Sequence, residues 1–134
     1  MLYLIVGNWI YVVPIILLAV MLVLVVTAVI YASKIIRTSS EDKREVYTIL
    51  NQSAKGNCIV FLGDSLTDFY RVEEFFHSSN LYNRGIAGDT TDDVIERLYD
   101  NVITIAPKKI FLQIGTNDLG AKKSVDYVVS NIQR

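Results

Sequence analysis

The chain reads as an α/β protein with a parallel sheet and helices on both faces, preceded by one membrane-spanning helix. Two kinds of pattern lead there. From Leu2 to Ala32 the residues outside the apolar set are Gly7, Asn8, Pro14 and Thr27, and no charged residue precedes Lys34. Beyond that run, short apolar segments that each end in a polar, glycine-containing turn alternate three times with segments of helical spacing. Such alternation implies right-handed crossovers between parallel strands.

A span needs about 20 apolar residues at ~1.5 Å rise each, so the opening run can cross a bilayer with tilt to spare. Pro14 and the Gly7-Asn8 pair are expected to kink or fray its first third. Ile15 to Ile30 forms the continuous part, with Trp9, Tyr11 and Tyr31 as interfacial anchors. A cleaved signal peptide has a basic start and an apolar core of about 7–15 residues. This start has no Lys or Arg and its core is longer, which favours a retained anchor. The boundaries follow as an anchor over 1–33, a juxtamembrane connector and helix over 34–57, and the alternating α/β domain over 58–134. Lys34, Arg37, Lys43 and Arg44 follow the span, so the charge bias predicts a single-pass cell-membrane protein with a cytoplasmic globular part; an extracellular one is the alternative.

All 13 Lys+Arg and all 14 Asp+Glu lie beyond the anchor, and no basic stripe stands out, which argues against a nucleic-acid partner. The single thiol, Cys58, has no partner for an internal disulfide and reads as buried and inert. Arg37 to Asp42 reads as a polar connector. Ser39 or Ser40 is expected to cap a helix over Glu41 to Ala54, packed through Val46, Tyr47, Ile49 and Leu50. Lys55-Gly56-Asn57 stops it.

Cys58 to Leu62 is the first strand, a central one covered on both faces. Thr67 to Phe76 reads as a helix or helical turn, and Leu81 to Arg84 as a short second strand closed by Gly85 to Asp89. Thr90 or Thr91 caps a helix with Val94, Ile95, Leu98, Val102 and Ile105 at helical spacing, ended by Pro107. Lys109 to Ile114 is the third strand, Gly115 to Asp118 another polar turn, and a last helix begins at Ser124.

Three polar turns therefore follow three strands on one sheet edge, where ligands bind in open parallel sheets. An acyl-transfer site needs a nucleophile, an oxyanion hole, a general base and a group orienting the base. Ser65, in Gly63-Asp64-Ser65-Leu66, can be the nucleophile. Gly88 can offer a backbone N–H that no Cβ obstructs, Asn117 a side-chain amide, and Ser65 its own N–H.

In these blocks the sequence resembles the SGNH, or GDSL, family of serine esterases and acylhydrolases. Gly63-Asp64-Ser65-Leu66 resembles the family's first block, Asn83 to Thr91 its second, and Ile114 to Asp118 its third. The resemblance implies a flavodoxin-like three-layer α/β/α sandwich. It also implies Ser65 as nucleophile and Ser65, Gly88 and Asn117 as oxyanion donors, with no metal and no cofactor. The sequence departs from the family in one respect. The Asp-x-x-His near the end of the family's longer domain is absent, as are two further strands. His77 is the one histidine, and in its polar loop it reads as a surface residue without a catalytic role.

The expectation is thus a membrane-anchored serine ester hydrolase, acylhydrolase or acetylesterase in kind, acting through an acyl-enzyme. The chain is read as the amino-terminal part of a longer protein, inactive alone. The anticipated partners are the membrane and an ester substrate, a lipid or an acylated sugar. The alternative is a non-catalytic, membrane-tethered binding or scaffold domain.

Overall fold

The computed structural model describes residues 2–77 and 80–134. Contacts divide the chain into two compact units, Met1–Arg37 and Thr38–Arg134.

The first unit is helical throughout its described residues and belongs to α1, Leu2–Asn51. Its large apolar side chains from Trp9 to Ile36 are exposed, so no protein core accounts for them. Hydroxyls in this stretch return to the helix itself: Thr27 donates to the carbonyls of Val23 (3.0 Å) and Leu24 (2.9 Å), and Ser33 to that of Val29 (2.9 Å). That self-satisfaction is what an apolar solvent requires of a polar side chain. Pro14 lies inside the helix rather than at a break. The helix is long and apolar enough to cross a membrane by length and composition, a test an amino-terminal signal sequence also passes.

In the second unit the sequence reading needs a correction at once. Arg37 to Asp42 is helical, and neither Ser39 nor Ser40 starts a new helix, because α1 extends to Asn51. Nothing between Lys34 and Leu50 stops it, since the stretch holds no Gly or Pro. The predicted apolar stripe is not the packed one either: Tyr47 is buried, while Val46, Ile49 and Leu50 are exposed.

The sheet has three parallel strands, β1 (Ile59–Gly63), β2 (Leu81–Gly85) and β3 (Lys109–Gln113), in the order β2-β1-β3. This is the opening order of a flavodoxin-like sheet. In the register, Gly63 stands beside Gly85 on one side and Gln113 on the other, so the three strands end level. Side chains alternate between faces. Val60 and Leu62 join Val94, Val102 and Ile105 in the main core, with Cys58 at its end and Tyr82 packed against it. Burial pushes the Cys58 thiol up and leaves it an inert core residue. The opposite face carries Phe61, stacked on Phe111 at 5.1 Å and near Phe76 at 5.6 Å and Tyr70 at 6.1 Å. Thus β1 is central as read. Strand β3 is less covered: Ile110, Phe111 and Leu112 are 38–49% exposed, and Ile110 and Leu112 line an apolar hollow of about 150 Å³.

The segment read as one helix over Thr67 to Phe76 is two, α2 (Ser65–Asp68) and α3 (Val72–Phe76). The Asn83 side-chain amide explains the break, because it donates to the carbonyls of both Thr67 (2.7 Å) and Tyr70 (2.9 Å). Helix α4 (Thr91–Asn101) starts as read, with Thr90 and Asp93 forming a reciprocal capping box. It ends earlier than its apolar spacing suggested, passing into a 3₁₀ turn at Ile103–Ile105 before Pro107. The third polar turn opens α5 (Thr116–Gly120), and Ser124 caps α6 (Val125–Gln133).

Two strand-terminal glycines seat α2. A Cβ on Gly85 would overlap the backbone of Asp68 and come within 2.6 Å of the Thr67 carbonyl carbon. A Cβ on Gly63 would meet the Gln113 carbonyl and the Thr67 hydroxyl. Backbone cannot yield as a flexible side-chain tip can. Gly85→Ala should therefore destabilise the second unit by about 1–3 kcal/mol. Urea unfolding of the detergent-solubilised chain, followed by near-ultraviolet circular dichroism, measures this. A shift within experimental error would mean that α2 moves freely away.

Candidate functional site

The turn after β1 is built by Asp64. Its Oδ1 accepts from the Leu66 N–H at 3.0 Å and caps α2, which leaves Ser65 as the first helical residue. A first-turn N–H has no acceptor within its own helix, and the Ser65 N–H has none elsewhere among the described residues. The Ser65 hydroxyl is half-buried and likewise makes no hydrogen bond among them. Asp64 is 1% exposed, and its Oδ2 is buried without a partner.

The turn after β2 carries Gly88 at φ 90°, a left-handed conformation that glycine adopts freely and an L-residue resists. Its N–H has no acceptor among the described residues. The turn after β3 carries Asn117, whose Nδ2 donates to the Asp89 carbonyl at 2.8 Å. An amide NH₂ has two hydrogens, so this bond fixes the side chain and leaves the second hydrogen available. Parallel strands that end level thus bring Ser65, Gly88 and Asn117 to one edge. Among the described residues the Ser65 and Gly88 N–H groups and one hydrogen of the Asn117 amide are unspent.

Hydrogen bonds lace the three turns together. The Ile86 N–H donates to the Gly63 carbonyl at 3.0 Å, and the Ala87 N–H to Asp68 Oδ2 at 2.9 Å, joining the first turn to the second. Thr91 donates through its N–H (2.9 Å) and hydroxyl (2.7 Å) to the two oxygens of buried Asp118, joining the second to the third. Asn131 of α6 closes this network with a 2.8 Å bond to the Thr91 hydroxyl. Beneath them Arg97 of α4 pairs with Asp89 at 2.6 Å, both side chains 2% exposed, and reaches the Gly63 carbonyl at 3.3 Å. Burial pushes the Asp89 carboxyl up, and the Arg97 guanidinium pulls it back.

The sequence reading gave Arg97 no role, and it placed Tyr47 only in an apolar stripe and Asp118 only in the third block, without their part in holding this edge. A signal for Arg97 existed: it stands on the apolar face with Val94, Leu98 and Asn101, where a charge demands a buried partner. His77 is exposed, sits in the left-handed region at φ 47° and closes α3. Among the described residues no group of three His, Cys, Asp or Glu could hold a metal ion. A cavity of about 760 Å³ lies beside the crevice between the end of α1, α2 and β2, with Lys43, Tyr47, Asp68, Tyr82 and Arg84 in its wall; Ser65, Gly88 and Asn117 are not part of its lining.

No protein-family model and no curated protein matches the chain. Among solved structures, a protein of Streptococcus pneumonia described as a candidate platelet activating factor is 34% identical, with a TM-score of 0.72, and the match covers 79% of this chain and 50% of that one. A GDSL-like lipase of Bacteroides thetaiotaomicron is 26% identical, with a TM-score of 0.60, over 67% of this chain and 49% of that one. These likenesses support a hydrolase fold of the SGNH, or GDSL, family. The chain spans about half the length of the structures it matches.

Tyr47 ties this edge to α1 through a 2.7 Å bond from its hydroxyl to the Gly85 carbonyl. Burial, with the Asp68 carboxylate adding to it, pushes that hydroxyl up to about 12. An unfolded tyrosine loses its proton near about pH 10, so between there and pH 12 the folded chain holds a proton that the unfolded chain has lost. The contribution is whole below pH 10 and drains away as pH rises to 12. The stability difference between wild type and Tyr47→Phe should therefore shrink across that window in urea titrations. A constant difference would show that the hydroxyl is not held in its neutral form.

Proposed function

We propose that this chain supplies the nucleophile and oxyanion half of a membrane-anchored serine ester hydrolase. Ser65 Oγ attacks the ester carbonyl, the alcohol leaves, and water releases the acyl group from Ser65. The observation that carries the reading is the set of unspent donors at one strand edge: the Ser65 N–H, the Gly88 N–H and the second hydrogen of the Asn117 amide. Donors fixed in advance toward a developing negative charge are the larger part of acyl-transfer catalysis. The general base lies outside these residues, since the one histidine is exposed at the end of α3. Lipid and acylated-sugar esters are the substrate classes, and a lipid suits an enzyme tethered to a bilayer. The globular part faces the cytoplasm by charge bias.

The test is labelling by a fluorophosphonate. The protein extended to include a histidine base should label at Ser65, and Ser65→Ala should abolish it. Asn117→Ala should lower turnover by about 10²–10³ with KM little changed. The 134-residue chain by itself should not label, because its serine hydroxyl has no base. Failure of the extended protein to label would favour the binding or scaffold reading.

The anchor has its own check. Carbonate extraction of membranes should leave the chain in the pellet. A mature start beyond Ala32 would make the apolar run a signal sequence instead.

A further inference from the structure

The last turns of α1 dock in the second unit through polar side chains. Ser40, Lys43, Arg44, Tyr47 and Asn51 recur at steps of three and four, which puts them on one helix face. Val46, Ile49 and Leu50 stay 48–56% exposed. Docking driven by apolar burial would have turned those three inward, so the choice of face needs another account.

That polar face meets the turn bearing Gly88. Tyr47 donates to the Gly85 carbonyl at 2.7 Å, and Ser40 to the Ala87 carbonyl at 3.3 Å. Lys43 forms an ion pair with Asp68, whose other oxygen accepts from the Ala87 N–H at 2.9 Å. Arg44 bonds Asp93 at 2.9 Å and lies 3.9 Å from buried Asp89. The helix is held in its turn by Asn101 of α4, which donates to the Arg44 carbonyl (3.1 Å) and the Thr48 hydroxyl (3.0 Å). The turn is thus gripped before and after Gly88, the one residue in it with a left-handed φ and an uncommitted N–H.

We infer that Tyr47, Lys43 and Arg44 are positioning residues for the oxyanion hole, an inference that rests on Gly88 being an oxyanion donor. A backbone N–H stabilises an oxyanion only if it is aimed beforehand. Glycine makes the position accessible and at the same time loosens it. The three side chains counter that looseness by tethering both flanks of Gly88 to a rigid helix.

Amide hydrogen exchange on the full 134-residue chain in lipid nanodiscs tests this. In the double variant Lys43→Met/Tyr47→Phe, which keeps the ring stacked on Arg84, the amides of Ala87 to Asp89 should exchange about tenfold faster. The Val60 and Leu62 amides, reporters of global opening, should quicken only by the factor that the variant's loss of global stability in urea accounts for, well short of the rise at 87–89, and Glu45→Gln on the exposed face should move none of them. Restoring the cation as Lys43→Arg/Tyr47→Phe should recover part of the protection. Unchanged exchange at 87–89, or an equal rise at Val60 and Leu62, overturns the inference. Fluorophosphonate labelling in the extended protein keeps the two readings apart. Faster exchange without any labelling refutes the esterase and leaves the clamp, whereas labelling with unchanged exchange refutes the clamp alone.

Discussion

The close approach of α2 to the ends of β1 and β2 is the constraint on which the rest of the second unit depends. It is possible because Gly63 and Gly85 stand side by side in the register, and neither position has room for a Cβ. The helix backbone therefore rests directly on the strand ends, and Ser65 is fixed at the sheet edge by backbone rather than by a flexible side chain. Asp64 then sets the direction of entry by capping the helix. Backbone placement of this kind fixes the Cα of Ser65 and leaves its hydroxyl one side-chain torsion to set.

Charge is used below this edge in a manner that apolar packing alone would not require. Arg97 and Asp89 are buried together, and removing either would strand the other in a low-dielectric interior. What the pair provides is geometric: one guanidinium holds the side chain at the base of the Gly88 turn and the carbonyl at the end of β1. Asn117 reads the same turn from the other side through the Asp89 carbonyl. Buried polar networks fix one arrangement among several of similar apolar content, and here the arrangement fixed is that of the three turns.

Exposure divides the sheet unevenly. Val60 and Leu62 are enclosed by α4 and the 3₁₀ turn, whereas Ile110, Phe111 and Leu112 on β3 remain accessible. The stability of the second unit is therefore concentrated between β1, β2 and α4. The β3 edge contributes the third turn through its register more than through its burial.

The sequence by itself determined the order of the elements and the sheet edge at which the three polar turns meet. Apolar runs closed by Gly63, Gly85 and Gly115 are local patterns, and parallel pairing then follows from alternation with helices. It also marked Ser65, Gly88 and Asn117, because a hydroxyl, an unobstructed backbone N–H and a side-chain amide converge there in three blocks that resemble those of one family. Only the tertiary structure decided which helix faces turn inward. The end of α1 packs by Tyr47, Lys43 and Arg44 because its neighbours are the Gly85 carbonyl and the carboxylates of Asp68 and Asp93, which no periodicity within the helix encodes. The break between α2 and α3 was equally hidden, since it is made by Asn83 of β2, which takes the Thr67 and Tyr70 carbonyls away from helix continuation. Local propensity fixes what a segment can be; partners distant in sequence choose among those possibilities because unpaired buried polar groups cost more than propensity gains.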